Sequence, residues 1–379
     1  MIKMVDLSSQ YLRLKEEIDK AVQDVFVSAD FINGAQVKTF CESLSSYMNV
    51  PHVIPCGNGT DALRIALQAL NIGSEDDVLL PAFTYIAPAE AIASVGASPI
   101  LVDVDPDTFN INPELIEKAI TARTKAIIVV HLFGQSCDME AIQKIANKYK
   151  LTIIEDNAQS LGSSYTFSDG SSQKTGTIGR VGITSFFPTK PLACYGDGGA
   201  IFTSDNELAE QLRLLTNHGQ TKKYHHKIVG NNSRLDTVQA AILNIKLKYL
   251  DEFTYRRQQL AAQYDQALKD LPGIILPEKN SYPNYPLTTN HVYHQYTIKV
   301  QNGKRDALKS HLEENGIPSM IYYPLPIHEQ EAYKWIARIS GNLTQSKQLC
   351  SEVLSLPIHL ELTDETQSLI IEKIISFLG

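Results

Sequence analysis

Residues 125–159 read KAIIVVHLFGQSCDMEAIQKIANKYKLTIIEDNAQ, and their reading decides the fold. Residues 125–134 are almost wholly apolar, the pattern of a strand buried on both faces. Residues 139–150, MEAIQKIANKYK, read as a helix, and 151–158, LTIIEDNA, as the next strand. The same cycle recurs upstream. HVI (52–54) closes a strand, GNGT (57–60) turns, and DALRIALQAL (61–70) is a helix. DVLLPAFTY (77–85) leads into APAEAIASVGA (87–97), and PILVDVD (99–105) into a helix near PELIEKAI (113–120). Strands alternating with helices argue for an α/β fold, a mostly parallel sheet covered by helices.

Downstream, GITSFF (182–187) and AIFTS (200–204) read as strands and Asp205–Asn217 as a helix. Residues 235–270 read as one long helix. The stretch 272–290, rich in Pro, Asn and Tyr, reads as a loop. After it come a strand (293–300), a helix (304–316), a strand (SMIYY, 319–323) and two closing helices. This places a large α/β domain at 1–250 and a small α+β domain at 251–379.

The chain has 379 residues, long enough for two packed lobes. Its composition, 43% hydrophobic and 20% charged, excludes a disordered or fibrous chain. A net charge of −8 argues against a nucleic-acid binder. The five cysteines, an odd and widely spaced set without a CxxC pair, argue for reduced cytoplasmic thiols. The first ten residues lack the apolar core of a signal peptide, and no run suits a bilayer. A cytoplasmic enzyme is expected, with no membrane partner.

Three segments carry chemistry. In the first, Gly57-Asn58-Gly59-Thr60-Asp61-Ala62, a glycine turn meets a helix N-terminus, whose free N–H groups and positive dipole end suit a phosphate. The spelling also fits G-x-G-x-x-A, with Glu75, Asp76 and Asp77 at about ribose-binding distance, so a nicotinamide dehydrogenase is the rival from another enzyme class. Those acids fall in a polar turn before a strand, where a ribose contact is not made. In the second, Glu155-Asp156-Asn157-Ala158-Gln159, an acid follows an apolar strand. A carboxylate there is a metal ligand, a base, a partner for a cationic ring, or a helix cap. In the third, Thr184–Lys190, a lone lysine sits among apolar, aromatic and proline residues. Desolvation lowers a lysine pKa, and the neutral amine is the nucleophile of Schiff-base chemistry. The glycine-rich run 194–199 after it suggests backbone drawn close to a ligand or another chain.

A phosphate cradle, a strand-end acid and a buried lysine are together what pyridoxal phosphate requires. With NGTDAL, PAFTYIAPAEAI, VDVDPDTFNI, IIEDNAQSLGS, SFFPTKPLACYGDGGAIFT, HGQ and NSRLDTVQAAIL, the chain resembles the DegT/DnrJ/EryC1/StrS sugar aminotransferases almost end to end. The resemblance implies the fold type I, aspartate-aminotransferase-like architecture and a homodimer with shared active sites. It implies that Lys190 binds the cofactor covalently and then shuttles a proton; a histidine there, as in some relatives, would favour dehydration. It places Asp156 at the pyridine nitrogen, Gln159 at the phenolic oxygen and Tyr85 on the ring. Gly59, Thr60, Asp61 and Ser185 would take the phosphate, with Asn232 reaching it from the neighbouring subunit. A non-catalytic, regulatory relative would lack the lysine or the acid, and both are present.

The 222–236 segment resembles the branch that makes UDP-2-acetamido-3-amino-2,3-dideoxy-glucuronate, with L-glutamate as donor. Arg234 would grip a carboxylate; the alternative for it is a structural salt bridge. Lys222, Lys223, His225 and His226 form a basic run suited to the diphosphate of a nucleotide sugar, or else a solvated loop. Adjacent histidines on a strand point to opposite faces, so no metal site is read from them. Tyr322 lies in a segment the resemblance places near the sugar, where the glucuronate branch would admit a histidine.

Overall fold

The computed structural model describes residues 2–278 and 290–379. Its central sheet has eight strands. In spatial order they are His52–Cys56, Gly199–Thr203, Val181–Ser185, Thr152–Asp156, Thr124–Val130, Asp77–Pro81, Ser98–Val102 and Arg338–Ile339. Gly199–Thr203 runs antiparallel to both neighbours; the other pairings are parallel.

The apolar strands feed two cores because successive side chains point to opposite faces. Ala126, Ile128, Val130 and Ile154 pack with the helices Gly59–Ala69, Ala87–Ser94 and Asn206–Thr216. Ile127, Val129 and Ile153 pack on the other face with Pro113–Ala119 and Met139–Tyr149. Helices on both faces explain why these strands read as continuous apolar runs without alternation.

Val130 pairs with Asp156 and Asp156 with Ile183, so three parallel strands finish at one edge. The turn into Gly59–Ala69 lies at that edge, and two glycines allow its close approach. A Cβ on Gly199 would sit 2.6 Å from the Asn58 carbonyl, and one on Gly59 would sit 2.8 Å from Ser185 Cβ. Only backbone fits in either place.

The long helix expected at 235–270 is two helices, Thr237–Leu247 and Leu250–Leu268. The amides of Lys248 and Tyr249 turn to carbonyls three residues back, tightening the chain between them. Leu250 packs with Phe40 and Leu44, whereas Leu260, Tyr264 and Leu268 join a separate core with Tyr296, Leu308 and Ile370. That second core lies on a small antiparallel sheet of Ile274–Ile275, Tyr296–Val300 and Val353–Leu356. Of the loop read at 272–290, residues 279–289 lie outside the described residues. The expected strand at 319–323 is a single bridge, Met320 to Ser355. The chain then returns to the large sheet: Ile327 N–H donates to the Ala82 carbonyl, Arg338–Ile339 forms the sheet edge, and Leu343 and Leu349 enter the main core.

Candidate active site

Above the carboxyl ends of the strands lies a cavity of about 740 Å³, within the usual range of a ligand pocket. Gly59, Thr60, Asp61, Tyr85, Asp156, Gln159, Ser185, Lys190 and Tyr322 all line it. Asn232, Arg234 and His226 do not.

Asn58 caps the helix, its Oδ1 accepting the Asp61 N–H at 2.7 Å. Of the three amides expected to meet a phosphate, Asp61's is therefore already engaged. Gly59 and Thr60 keep first-turn amides that have no partner within the helix. The Asp61 side chain serves structure. It accepts from Arg64 (2.7 Å) and from Ser233 Oγ (2.7 Å), while Gly57 N–H donates to Ser233 Oγ (2.9 Å) and Arg64 donates to Asn231 (2.8 Å). These bonds fasten the 231–234 loop beside the helix N-terminus.

The two acids of the strand end divide their labour, since adjacent residues face opposite sides. Glu155 is fully buried and anchors the chain that follows. It accepts from the amides of Gly176 (2.7 Å), Ile178 (2.6 Å) and Gly179 (2.5 Å) and from His131 Nε2 (2.9 Å). His131 Nδ1 accepts the Cys137 N–H (3.0 Å), which fixes the ring as the Nε2–H tautomer. Asp156, 6% exposed, lines the cavity. Burial raises its pKa, against the lowering effects of the Ala158 N–H bond (3.0 Å) and Lys190. Burial lowers the Lys190 pKa, and Asp156 opposes that shift. The cavity thus holds an amine biased toward its neutral form and a carboxylate that responds to a nearby positive charge.

Gln159 Oε1 accepts the Phe133 N–H (2.8 Å), and its Nε2 donates to the Tyr323 hydroxyl (3.1 Å). Tyr85, 55% exposed, lies 6.2 Å from the Tyr323 ring. Thr84, Tyr323, His294 and Gln295 also line the cavity, and the sequence reading did not select them. Thr84 and Tyr323 each adjoin a residue it did select. His294 and Gln295 arrive from the segment just before the strand Tyr296–Val300, where no local motif marks them. The Thr84 hydroxyl is buried without a hydrogen-bond partner.

Outside the cavity, Asn232 is exposed and pairs with Asn217. Arg234 is half-buried and makes no salt bridge among the described residues, so the structural ion pair weighed for it is not formed. His226 is exposed on a two-stranded ribbon, Gln220–Lys222 with His225–His226, and its Nδ1 bonds the His218 carbonyl (2.9 Å). Asp77, from the dinucleotide alternative, is the buried first residue of its strand and is held by Arg123 and Thr121, away from the ligand edge.

Comparison with known proteins places the whole chain. A "Pleiotropic regulatory protein" of Geobacillus stearothermophilus is 45% identical over 377 residues, 99% of this chain and 98% of that one. The UDP-2-acetamido-2-deoxy-3-oxo-D-glucuronate aminotransferase of Pseudomonas aeruginosa is 44% identical over 361 residues, 95% of each chain. The crystal structure of a DegT DnrJ EryC1 StrS aminotransferase from Brucella abortus superposes with a TM-score of 0.94 at 42% identity, covering 100% of both chains. The family model matches residues 12–375, and the chain belongs to the DegT/DnrJ/EryC1/StrS aminotransferase family, the pyridoxal-phosphate-dependent sugar aminotransferases.

Proposed function

We propose that the protein aminates a nucleotide-linked 3-oxo sugar, UDP-2-acetamido-2-deoxy-3-oxo-glucuronate or a near relative, with L-glutamate as amino donor. Lys190 and Asp156 facing one cavity, each shifted by the same burial, is the observation that carries the reaction. Gly59, Thr60 and Ser185 would hold the phosphate of pyridoxal phosphate, Asp156 its ring nitrogen, Gln159 its phenolic oxygen and Tyr85 one face. The fit is supported by two amides without intrahelical partners, the orphaned Thr84 hydroxyl and a volume that leaves room for a sugar. When bound, the cofactor supplies an electron sink for the carbon that loses its proton. Lys190 Nζ, neutral once free, takes that proton and returns one to the sugar carbon.

Arg234, a half-buried guanidinium without an ion-paired carboxylate among the described residues, supports a substrate that carries one, as glutamate and a uronic acid both do. Tyr322 in the cavity wall supports a second reading, a 3- or 4-keto deoxy-sugar lacking the carboxylate. Asn232, exposed and outside the cavity, suits a role in a neighbouring subunit's site, hence a homodimer. Residues 1–250 then form the cofactor-binding lobe, which 327–349 rejoin at the sheet edge, and the rest of 251–379 the small lobe. Five free thiols suit the cytoplasm, where surface-glycan precursors are made.

The test runs the reaction backwards. Holoenzyme given UDP-2-acetamido-3-amino-2,3-dideoxy-glucuronate and 2-oxoglutarate should release L-glutamate and a 3-oxo sugar. Arg234→Ala should raise KM for that sugar by about tenfold or more, and leave an amino sugar without the carboxylate unaffected. Glutamate released only from carboxylate-free 3- or 4-amino sugars would establish the second reading. No release from either class would overturn the reaction itself.

A further inference from the structure

Behind Lys190 lies a second, small chamber of about 30 Å³, separated from the main cavity by Lys190, Thr189 and His294, which line both. Its charged and titratable walls are Asp6, Lys190, Arg257, His294, His359 and Glu361. Arg257 projects from the helix Leu250–Leu268, is 7% exposed, and has no carboxylate within ion-pair distance among the described residues. Its Nη1 is buried without a hydrogen-bond partner among the described residues, as are both ring nitrogens of His359 and Glu361 Oε1. The wall carboxylates have cations of their own: Asp6 pairs with Lys3 at 2.8 Å, and Glu361 lies 3.8 Å from Arg13. Donors and acceptors both facing a space of this size suit one or two waters.

We propose that Arg257 is a positioning residue, a buried and uncompensated guanidinium whose charge acts across the chamber to keep the Lys190 amine unprotonated. The proposal rests on reading Lys190 as the covalent amine of the site. Burial pushes Arg257 down to about 10, still far above neutral pH, so its charge is present under working conditions. In a low-dielectric interior such a charge reaches well beyond contact. His294, between the two cations, is held well below the ordinary histidine range by burial, then by Lys190, then by Arg257. It stays neutral and offers no competing charge. Burial is the main influence lowering the Lys190 amine's pKa, and Asp156 pulls it the other way from the cavity side.

The test uses the full chain without added cofactor. Lys190 is labelled with a brief pulse of acetic anhydride across about pH 6 to 11, and its peptide is quantified by mass spectrometry. This readout is independent of transamination, so the proposal and the assigned reaction fail separately. Arg257→Met should move the labelling midpoint up by about one pH unit, a roughly tenfold fall in reactive amine at neutral pH. Arg257→Lys should restore the wild-type midpoint. Arg257→Gln, which keeps donors for the chamber waters, should behave as Met does and replaces it if Met prevents folding. An unchanged midpoint in the uncharged variants overturns the proposal, as does an equal shift in Arg257→Lys, which would reveal a packing effect.

Discussion

Glu155→Gln tests whether the strand-end acid pair is divided between scaffold and chemistry. The Glu155 carboxylate accepts four N–H donors, two on each oxygen: Ile178 and Gly179 on Oε1, Gly176 and His131 on Oε2. A glutamine keeps one acceptor oxygen and turns an NH₂ toward two donors. Two charge-assisted bonds are lost in a fully buried place, at about 1.5–3 kcal/mol each, so the cost is about 3–6 kcal/mol. For a chain of this length the unfolding entropy is about 0.8 kcal/mol/K, which converts the cost to a fall of about 4–8 °C in Tm. Asp156→Asn keeps an oxygen for the Ala158 N–H, the side chain's hydrogen bond among the described residues, and should leave Tm within about 2 °C while weakening retention of pyridoxal phosphate. Calorimetry of both variants, with cofactor absorbance measured after dialysis, separates the two roles. A Glu155→Gln protein that melts with the wild type, or an Asp156→Asn protein that melts far below it, would refute the division.

Two further outcomes follow from the same geometry. Gly59→Ala should destabilise the protein by about 1–3 kcal/mol and weaken cofactor binding, because the new Cβ meets Ser185 Cβ at 2.8 Å and overpacking outweighs the helical gain of about 0.5–1 kcal/mol; a higher Tm would show that the close approach is absent. His291, 6% exposed, is pushed by burial from 6.5 down to about 3, and its Nδ1 accepts the Tyr293 N–H at 2.9 Å. The unfolded chain therefore takes the proton first, so stability is complete above about pH 6.5 and falls as pH drops toward 3, by about 2–3 kcal/mol at pH 4.5. Denaturant titrations should show that part of the slope missing from His291→Asn, and an equal slope in both proteins would contradict it.

What the sequence disclosed and what it withheld have physical causes. The parallel sheet was legible because strands such as Thr124–Val130 lie between two helix layers and must be apolar throughout. Of the nine cavity residues, Gly59, Thr60, Asp61, Asp156 and Lys190 were legible in local motifs, whereas Tyr85, Gln159, Ser185 and Tyr322 came from the family resemblance alone. The break at Lys248–Tyr249 was not legible, since helical apolar spacing continues across it and only the packing of Leu250 and Leu260 into separate cores requires two segments. Asp61 was assigned by position in the turn. Its amide is instead spent on Asn58 and its carboxylate on Arg64 and Ser233, a competition that appears only once Ser233 is brought across 172 residues. Arg257 shows the same limit from the other side. In the sequence it is one of two adjacent arginines in a polar helix, and solvation is the natural reading. The fold buries that helix face beside His294, and so sets the Arg257 guanidinium on the wall of the chamber behind Lys190. Local patterns thus located most of the polar groups of the main cavity, and long-range packing brought Arg257 and His294 to their side.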